Sequence, residues 1–362
     1  MAGGVQPPPT EPDLTVVICT LGKARIEAAT ESVAASARAA GRVVRTVVVW
    51  QGAEPPPSIP GTEVIDVFPL GLSYARNHGL AVAGGGLVGF VDDDEVVDES
   101  WVAAAVAELT GDDSPHGAFG PVLADDSGEA HYFAPGNSRV VFTGTGASPW
   151  RVGTGGNMVF RHEALTKVGG FDPRFGAGAP AGAAEETDLV LRLLGGGGSL
   201  VFTPELRVYH PVRSGPEELR ARSKYAYGMG AALRRSPALA GRYLYTICQE
   251  LGRAARARNR TREREVLATS RGFLAGLVSP LRSRPPKDAE GRLPADLAVR
   301  LDGENLKPLG AKIGERPHLR YTAGDHVLHV YVDPAPDLVE SVRGDGAEHV
   351  LERDALWVLE LS

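Results

Sequence analysis

From Asp13 onward, apolar runs alternate with amphipathic stretches, and no other feature of the sequence limits the fold as strongly. Four apolar runs predict buried strands: LTVVICT (14–20), RTVVVW (45–50), TEVIDV (62–67) and GLVGFV (86–91). Amphipathic stretches predict helices over 23–40, 73–83 and about 99–109. A more irregular part follows, with strand candidates at 117–123, 139–143, 154–160 and 200–210 and helix candidates at 162–168 and 185–194. This alternation is typical of an α/β domain with a largely parallel sheet.

The chain divides into regions of different character. Residues 1–12 are rich in proline and predict a disordered leader, and residues 13–213 predict the α/β domain. Residues 214–284 predict a basic helical extension. Residues 290–362 predict a small β-rich C-terminal region, because strand-like runs alternate there with Gly-Asp turns. The helices of the extension are predicted over 216–235, 238–258 and 261–277.

Composition and cysteine content exclude several classes of protein. Of the 362 residues, 43% are hydrophobic and 23% are charged, which is ordinary for a globular protein and too apolar for a disordered one. Cys19 and Cys248 lie far apart, so neither a disulfide framework nor a thiolate zinc site is expected. The first residues lack signal-peptide features, and no apolar stretch approaches the roughly 20 residues that span a bilayer. We therefore expect a cytoplasmic protein, with peripheral contact at the inner membrane face left open.

Positive charge is concentrated in one part of the chain. Residues 214–284 contain 15 lysine and arginine residues against five acidic residues, although the net charge of the whole chain is −7. A basic segment beside an acidic body is typical of proteins with an anionic partner: a phosphorylated ligand, a membrane surface or a nucleic acid. The alternative is a solvated, arginine-rich helix face without a partner.

An acidic cluster, Asp92 to Glu95, directly follows the strand at 86–91. Ligands of open α/β sheets bind at the carboxyl ends of the strands, so these carboxylates lie where a ligand is expected. Asp92 and Asp94, two residues apart in an extended segment, are expected to project to the same side. Such a pair favours a divalent cation, since Mg²⁺ and Mn²⁺ take oxygen ligands and leave positions open for phosphate. The alternative is an acidic turn or a helix N-terminus that favours negative charge.

Two further segments have residues suited to a nucleotide ligand. Arg76 and Asn77 begin a helix after the third strand, where a guanidinium and a helix N-terminus meet phosphate or base. The segment GTGGNMVF (153–160) is a glycine-rich loop that enters a strand, but it lacks the GK[ST] ending of a phosphate loop. Its glycines predict a close approach of the backbone to a ligand.

Titratable residues also end two later elements. Glu185, Glu186 and Asp188 lie at the start of a predicted helix, and Asp188 has the spacing to pair with Arg192. His210 ends a strand in VYHP, although a lone histidine is more often structural than functional.

Taken together, these segments resemble the family 2 glycosyltransferases with a GT-A fold. The resemblance spans roughly residues 13–235 and rests on the order VVICT, ARNHGL, FVDDDEV, GTGGNMVFRHE, GGFDPRF, EETDLVLRL and VYHP. Each motif alone is weak, whereas the ordered set is specific. The resemblance implies a Rossmann-like nucleotide-binding sheet with flanking helices.

The resemblance also implies a role for individual residues. Asp94 would ligate a divalent cation, Mn²⁺ or Mg²⁺, and His210 would complete the metal site. Asp92 would also belong to the metal site and would face the nucleoside. Glu186 would be the catalytic base. The other implied nucleotide-sugar-binding residues are Thr20, Gln51, Arg76, Asn77, Asp93, Gly155, Gly156 and Asn157. The residues expected at the acceptor are Glu185 and Trp150.

The implied activity is an inverting transfer of a sugar from a nucleotide-diphosphate-sugar to an acceptor hydroxyl. Candidate acceptors are a glycan, a lipid-linked molecule or a small molecule, and candidate partners include an anionic membrane and a second copy of the chain, but not a nucleic acid. Gln51 stands where the family usually has an acidic residue at the base, and Glu185-Glu186 replaces the usual Glu-Asp. Two alternatives are a nucleotidyltransferase, disfavoured because TLGKAR has a single glycine, and a degenerate nucleotide-sugar-binding or scaffold protein.

Overall fold

The computed structural model describes residues 12–22, 26–52, 55–67, 70–111, 113–125, 130–133, 136–211, 216–279 and 281, and the strands of the C-terminal region. The strands before residue 212 are β1 (Leu14–Thr20), β2 (Val44–Trp50), β3 (Glu63–Asp66), β4 (Leu87–Asp92), β5 (Val96–Val97), β6 (Gly117–Phe119), β7 (Val122–Ala124), β8 (Ala130–Phe133), β9 (Val140–Thr143), β10 (Asn157–Arg161), β11 (Ser199–Phe202) and β12 (Val208–His210). The helices are α1 (Ile26–Ala40), α2 (Leu72–Ala83), α3 (Trp101–Leu109), α4 (His162–Lys167), α5 (Glu185–Gly195), α6 (Pro216–Leu233), α7 (Pro237–Arg256) and α8 (Arg260–Val278). Of the predicted leader, residues 1–11 lie outside the described part.

In the described part of the chain, eight strands form one mixed sheet in the order β3-β2-β1-β4-β10-β6-β11-β9. Strand β1 pairs in parallel with β2 and β4, and β2 pairs in parallel with β3. The prediction of a largely parallel sheet therefore holds for β1 to β4. It fails beyond them, because β10 runs antiparallel to both β4 and β6. A parallel neighbour needs a crossover connection, whereas β10 enters from an irregular loop and a 3₁₀ turn at Pro149–Arg151.

A second, smaller sheet has the order β5-β12-β7-β8. It exists because two predicted strands, 117–123 and 200–210, each divide into two strands that join different sheets. The division between β6 and β7 falls at Gly120, where a Cβ atom would lie 1.7 Å from the Leu206 carbonyl oxygen. Only glycine allows this close approach of two backbones.

Side chains of the large sheet alternate between two buried layers. Leu14, Val16 and Ile18 pack with α1 and α3 on one face, whereas Val17 packs with α2, α4 and α5 on the other. Helix α2 lies very close to β1, since a Cβ at Gly79 would be 2.2 Å from Val17 Cγ1. This contact fixes where the amino-terminal half of α2 lies relative to the carboxyl end of β1.

Helices α6, α7 and α8 form a separate apolar cluster around Leu233, Ile247, Val266 and Phe273. Helices α6 and α8 pack closely, because a Cβ at Gly272 would lie 2.2 Å from the Ser223 carbonyl oxygen. None of the described helices combines the length and the apolar character that a bilayer crossing needs.

The C-terminal strands are β13 (Lys307–Pro308), β14 (Ala311–Ile313), β15 (Arg316–Ala323), β16 (His326–Val332), β17 (His349–Arg353) and β18 (Trp357–Leu361). They form an antiparallel sheet in the order β13-β15-β16-β18-β17, with β14 also paired to β15. The strand-like pattern of the C-terminal sequence thus corresponds to strands in the structure.

Candidate active site

The candidate site lies at the carboxyl ends of β1 and β4, which are adjacent in the large sheet. Strands β2 and β3 extend the sheet on one side of β1, and β4 lies on the other, so the direction of strand order changes here. Open α/β sheets bind ligands in the crevice that such a change creates. Thr20 ends β1 and donates a hydrogen bond from its hydroxyl to the carboxylate of Asp93. The structure therefore places both of these predicted nucleotide-sugar-binding residues at the crevice.

The four carboxylates of the acidic cluster have different partners. Asp92 Oδ1 lies 3.1 Å from Arg76 Nη2, and Asp94 Oδ2 lies 3.4 Å from His210 Nε2. Glu95 is 3% exposed, and its carboxylate accepts a hydrogen bond from the Asp92 amide at 3.3 Å. The expectation that Asp92 and Asp94 share one side of an extended segment is wrong, because the chain turns immediately after Asp92.

Arg76 on α2 joins three parts of the site. Its guanidinium is buried, with 2% of the side chain exposed, and its Nη1 lies 2.6 Å from Glu185 Oε1. Nη2 binds Asp92 and also donates to the Gly155 carbonyl at 2.8 Å, and the Phe171 ring lies 5.6 Å from the guanidinium carbon. Burial acts to lower the pKa of Arg76, but the charges of Glu185 and Asp92 outweigh it and raise the pKa. Arg76 therefore stays charged, and its guanidinium binds Glu185, Asp92 and the Gly155 carbonyl.

The start of α5 presents two neighbouring carboxylates that differ in environment. Glu185 is buried and bound to Arg76, whereas Glu186 is half-buried and accepts a hydrogen bond from the Thr187 hydroxyl at 3.1 Å. The bond to Arg76 therefore opposes the expectation that Glu185 binds the acceptor. Burial, together with the negative charge of Glu185, raises the pKa of Glu186 to about 8. Once it is deprotonated, a carboxylate with such a pKa is a stronger base than an ordinary carboxylate.

The residue before this pair has an unusual backbone. Ala184 has a φ of 68°, in the left-handed region that non-glycine residues rarely adopt. Helix α6 packs against this point, since a Cβ at Gly228 would be 2.7 Å from the Ala183 carbonyl oxygen and 3.1 Å from the Ala184 Cβ. Strained backbone of this kind clusters at functional sites, and the sequence carries no signal for it.

His210 reaches the acidic cluster through the small sheet. Strand β5 follows the acidic turn and pairs with β12, so the end of β12 lies beside the turn. The Nδ1 of His210 lies 2.6 Å from the Pro211 carbonyl oxygen. Since a carbonyl only accepts, Nδ1 carries the proton in this contact, and Nε2 is the nitrogen that faces Asp94. A neutral histidine with its proton on Nδ1 would bind a metal through Nε2.

Two predicted nucleotide-sugar-binding residues, Asn157 and Asn77, have a structural role instead. Asn157 is fully buried; its amide donates to the carbonyls of Pro121 and Leu206, and its oxygen accepts from the Trp101 indole. It joins the two sheets and has no exposed surface for a ligand, so this prediction is wrong.

Asn77 binds the backbone of Phe171 with both ends of its amide, each at 2.8 Å. These bonds hold the GGFD segment against α2. They oppose the prediction that Asn77 binds the nucleotide-sugar.

The glycine-rich loop approaches protein groups rather than an open space. A Cβ at Gly155 would lie 2.9 Å from Glu185 Oε1, and one at Gly156 would lie 2.5 Å from Glu95 Oε1. The predicted close approach of the backbone is therefore real, but it is explained by the buried Arg76–Glu185 pair and by Glu95. Glu95 is a residue that the sequence analysis did not single out, since nothing in a run of four acids shows which of them is buried. Burial raises the pKa of Glu95 well above its usual value.

Gln51 and Trp150 are the two remaining predicted site residues. Gln51 follows β2 at the same edge of the sheet. Its backbone NH donates to the Thr20 carbonyl, and its side-chain oxygen accepts from the Gly71 backbone NH at 3.3 Å. Trp150, predicted at the acceptor, packs edge-on against Tyr243 of α7, with ring centroids 5.0 Å apart. Its place in the apolar cluster of α6 to α8 opposes that role.

The described residues do not bring three or more metal-binding side chains together in one group. What they offer is one carboxylate and one imidazole, Asp94 and His210, with Asp92 held by Arg76. Carboxylate and imidazole together suit Mn²⁺, and the remaining positions would be open to phosphate oxygens.

Comparison with known proteins finds a matching family. Residues 87–259 match the family described as Glycosyl transferase family group 2. This part of the chain, just under half of it, is similar to the family 2 glycosyltransferases. The matched residues run from β4 to the end of α7, so they include the acidic cluster, both carboxylates of α5 and His210. The predicted family resemblance and the prediction that the chain is an enzyme, a glycosyltransferase, are confirmed.

Solved structures to which the chain is similar have very different sequences. A mannosyltransferase, PcManGT from Pyrobaculum calidifontis in complex with GDP-Man and Mn²⁺, is 15% identical with a TM-score of 0.50, over 75% of this chain and 88% of that chain. TarS residues 1–349 from S. aureus are 11% identical with a TM-score of 0.42, over 86% of this chain and 97% of that chain. No curated protein matches the chain by sequence. The mannosyltransferase confirms the predicted GT-A fold.

Proposed function

We propose that this glycosyltransferase moves a sugar from a nucleotide-diphosphate-sugar to an acceptor hydroxyl with inversion, using Glu186 as general base. One observation carries the proposal. The buried Arg76 binds one carboxylate of each acidic pair, Asp92 and Glu185, and thereby brings the two pairs to one crevice. The second carboxylates, Asp94 and Glu186, are then positioned for chemistry on a ligand between them.

The donor would bind at the carboxyl ends of β1, β2 and β4. Thr20, Gln51 and Asp93 lie at this edge and have hydroxyl, amide and carboxylate groups that suit a nucleoside. The neighbour's complex with GDP-Man prompts the same donor class for this chain. Gln51, in place of an acidic residue, leaves purine and pyrimidine bases equally open.

Asp94 and His210 would hold a divalent cation, as the Nε2 orientation of His210 favours. When bound, such a cation supplies Lewis-acid stabilisation of the charge that develops on a leaving diphosphate. The carboxylate of Asp94 contributes negative charge to this position, whereas His210 contributes a neutral ligand. Asp92 is expected to act beside it through its bond to Arg76, rather than as a second ligand.

The transfer step follows from the position of Glu186. Its carboxylate takes the proton of the acceptor hydroxyl as the oxygen forms its bond to the anomeric carbon. The bond from that carbon to the diphosphate oxygen breaks, and the nucleoside diphosphate leaves with the electron pair. A single displacement inverts the anomeric configuration. The raised pKa of Glu186 suits this role, because the base must be strong enough to take the proton and still be deprotonated at the working pH.

A panel of nucleotide-sugars tests the proposal. The wild-type chain is incubated with each in the presence of Mn²⁺, and release of nucleoside diphosphate is measured with and without EDTA. We expect metal-dependent release from at least one donor. Binding without turnover of any donor would favour the scaffold alternative, and release of pyrophosphate from nucleoside triphosphates would favour a nucleotidyltransferase.

Contact with an anionic membrane belongs to the same proposal, and the exposed face of α8 supports it. Basic and aliphatic residues at spacings of three and four share this face: Arg260, Arg264, Leu267, Arg271, Leu274 and Val278. Leu274 is 51% exposed and Val278 is 80% exposed. Each basic residue near an anionic membrane contributes about 1 kcal/mol, screened by salt. Sedimentation with anionic vesicles should show binding at low salt that disappears at high salt; no binding at low salt would leave α8 a solvated face.

A further inference from the structure

An open groove of about 610 Å³ lies outside the crevice, between α6, α8 and the segment 179–182. Three basic side chains line it, Arg220 and Lys224 from α6 and Arg271 from α8. Ala181 at its wall is buried, and Tyr227 adds an aromatic ring and a hydroxyl. The groove therefore combines cationic donors with a partly apolar wall.

Several other arginines of the same helices have glutamate partners. Elsewhere the helices pair arginine with glutamate: Arg253 and Arg262 bind Glu250, and Arg222 and Arg262 lie near Glu265. The described lining of the groove, in contrast, contains no carboxylate.

Convergence of like charges is unfavourable unless something offsets it. Arg220 and Lys224 are one helical turn apart, a spacing at which like charges destabilise a helix. Arg271 adds a third positive charge from the facing helix. An anion in the groove would remove this repulsion, and guanidinium groups bind phosphate through paired hydrogen bonds.

Local packing fixes the position of the groove relative to the catalytic helix. The stem of Lys224 lies against the loop before α5, since a Cβ at Gly182 would be 2.7 Å from Lys224 Cε. At its other end this loop faces the crevice, since a Cβ at Gly176 would be 3.4 Å from Glu185 Oε2. The Gly176 amide donates to the Ala183 carbonyl at 3.2 Å and closes the loop. One short loop thus separates the groove from the carboxylates of α5.

We infer that this groove binds a phosphate group carried by the acceptor and so holds the acceptor beside the start of α5. The identification of the ligand as the acceptor rests on the proposed function, whereas the binding of phosphate in the groove does not depend on it. The phosphate is a point of attachment and not the atom that is glycosylated. Its source is either a lipid headgroup or a soluble phosphorylated molecule.

Calorimetric titration of the whole chain with inorganic phosphate, in the presence of EDTA, tests the site. The test variant combines Arg220→Gln, Lys224→Gln and Arg271→Gln. Charge-assisted hydrogen bonds are strong enough that we expect its affinity to fall at least about tenfold. The matched control combines Arg235→Gln, Arg256→Gln and Arg258→Gln, three exposed arginines of the same helical region outside the groove. It removes equal charge and should change the affinity less than about twofold.

The outcomes are distinct. Equal weakening in both variants would show a general charge effect and overturn the inference, as would unchanged binding in the groove variant or no phosphate binding by the wild type. Phosphatidic acid vesicles, compared with phosphatidylcholine vesicles, distinguish the sources: groove-dependent binding to the former indicates a lipid phosphate, and binding of inorganic phosphate alone indicates a soluble one. Failure of the proposed function would appear elsewhere, as no release of nucleoside diphosphate by the wild type from any nucleotide-sugar.

Discussion

The acidic turn after β4 and the start of α5 each present two carboxylates to the site. One carboxylate of each region has the same partner, whereas the other has a different one. In each region one carboxylate, Asp92 or Glu185, binds the buried guanidinium of Arg76. In the turn, the second carboxylate, Asp94, faces the imidazole of His210. At the start of α5, the second carboxylate, Glu186, has a hydroxyl beside it and the negative charge of Glu185 as its neighbour.

This difference teaches that partners, rather than residue type, divide the work of the site. A carboxylate beside an imidazole offers two groups that ligate the same cation. A carboxylate that is partly buried beside another negative charge has a raised pKa and takes protons. The same arginine supports both arrangements, so it is the residue on which the two regions most depend.

The largest expected effect is therefore the loss of Arg76. Arg76→Leu removes a buried cation and leaves Asp92 and Glu185 without their partner, which should lower the free energy of unfolding by about 3–5 kcal/mol. Denaturant unfolding measures this change. Arg139→Gln is the matched control, since Arg139 pairs with Glu108 but is 49% exposed, and its loss should cost less than about 1 kcal/mol. Equal losses in the two variants would show that the Arg76 pairs do not support the site.

The second prediction separates the acidic turn from α5. Asp94→Ala should abolish the metal-dependent part of nucleoside diphosphate binding, because it removes both a ligand and a negative charge from the cation position. His210→Ala should weaken it less, because the imidazole is neutral. Calorimetry with Mn²⁺ and with EDTA measures both. Undiminished metal-dependent affinity in Asp94→Ala would remove this residue from the metal site.

Much of the fold could be predicted from the sequence, because β1 to β4 and α1 to α3 follow local apolar periodicity. The family resemblance, which rests on the order of the motifs, added individual residues that the structure brings to the crevice. What could not be predicted were contacts between distant segments. Arg76 and Glu185 are 109 residues apart, and no local pattern shows that they pair.

The same limit explains the predictions that failed. The family resemblance implied that Asn157 binds the nucleotide-sugar, yet its amide joins the two sheets. Glu185 was expected at the acceptor because the family resemblance selects its neighbour Glu186 as the base, yet it binds Arg76. In both cases the strand or helix forms where the sequence predicts it, but the bonding partner of the side chain lies in a distant part of the chain.

The third prediction concerns α5 alone and has a smaller effect. The base must be deprotonated to act, so kcat/KM should rise with pH up to the pKa of Glu186, which burial raises to about 8, and level off above it. Below this value the rate should fall about tenfold per pH unit. Glu186→Asp should retain part of the activity and shift the profile. A rate that does not change between pH 6 and 9 would contradict the assignment of a titrating base.

The assignment of the two carboxylates of α5 is the central claim, and one pair of variants tests it directly. Glu186→Gln keeps the shape of the side chain and removes its basicity, so it should bind donor and metal normally, unfold like the wild type and lose at least about 100-fold in turnover. Glu185→Gln removes the charge that Arg76 binds, so it should lower the free energy of unfolding as well as activity. Turnover near the wild-type rate in Glu186→Gln, with an inactive but fully stable Glu185→Gln, would contradict the account and make Glu185 the base.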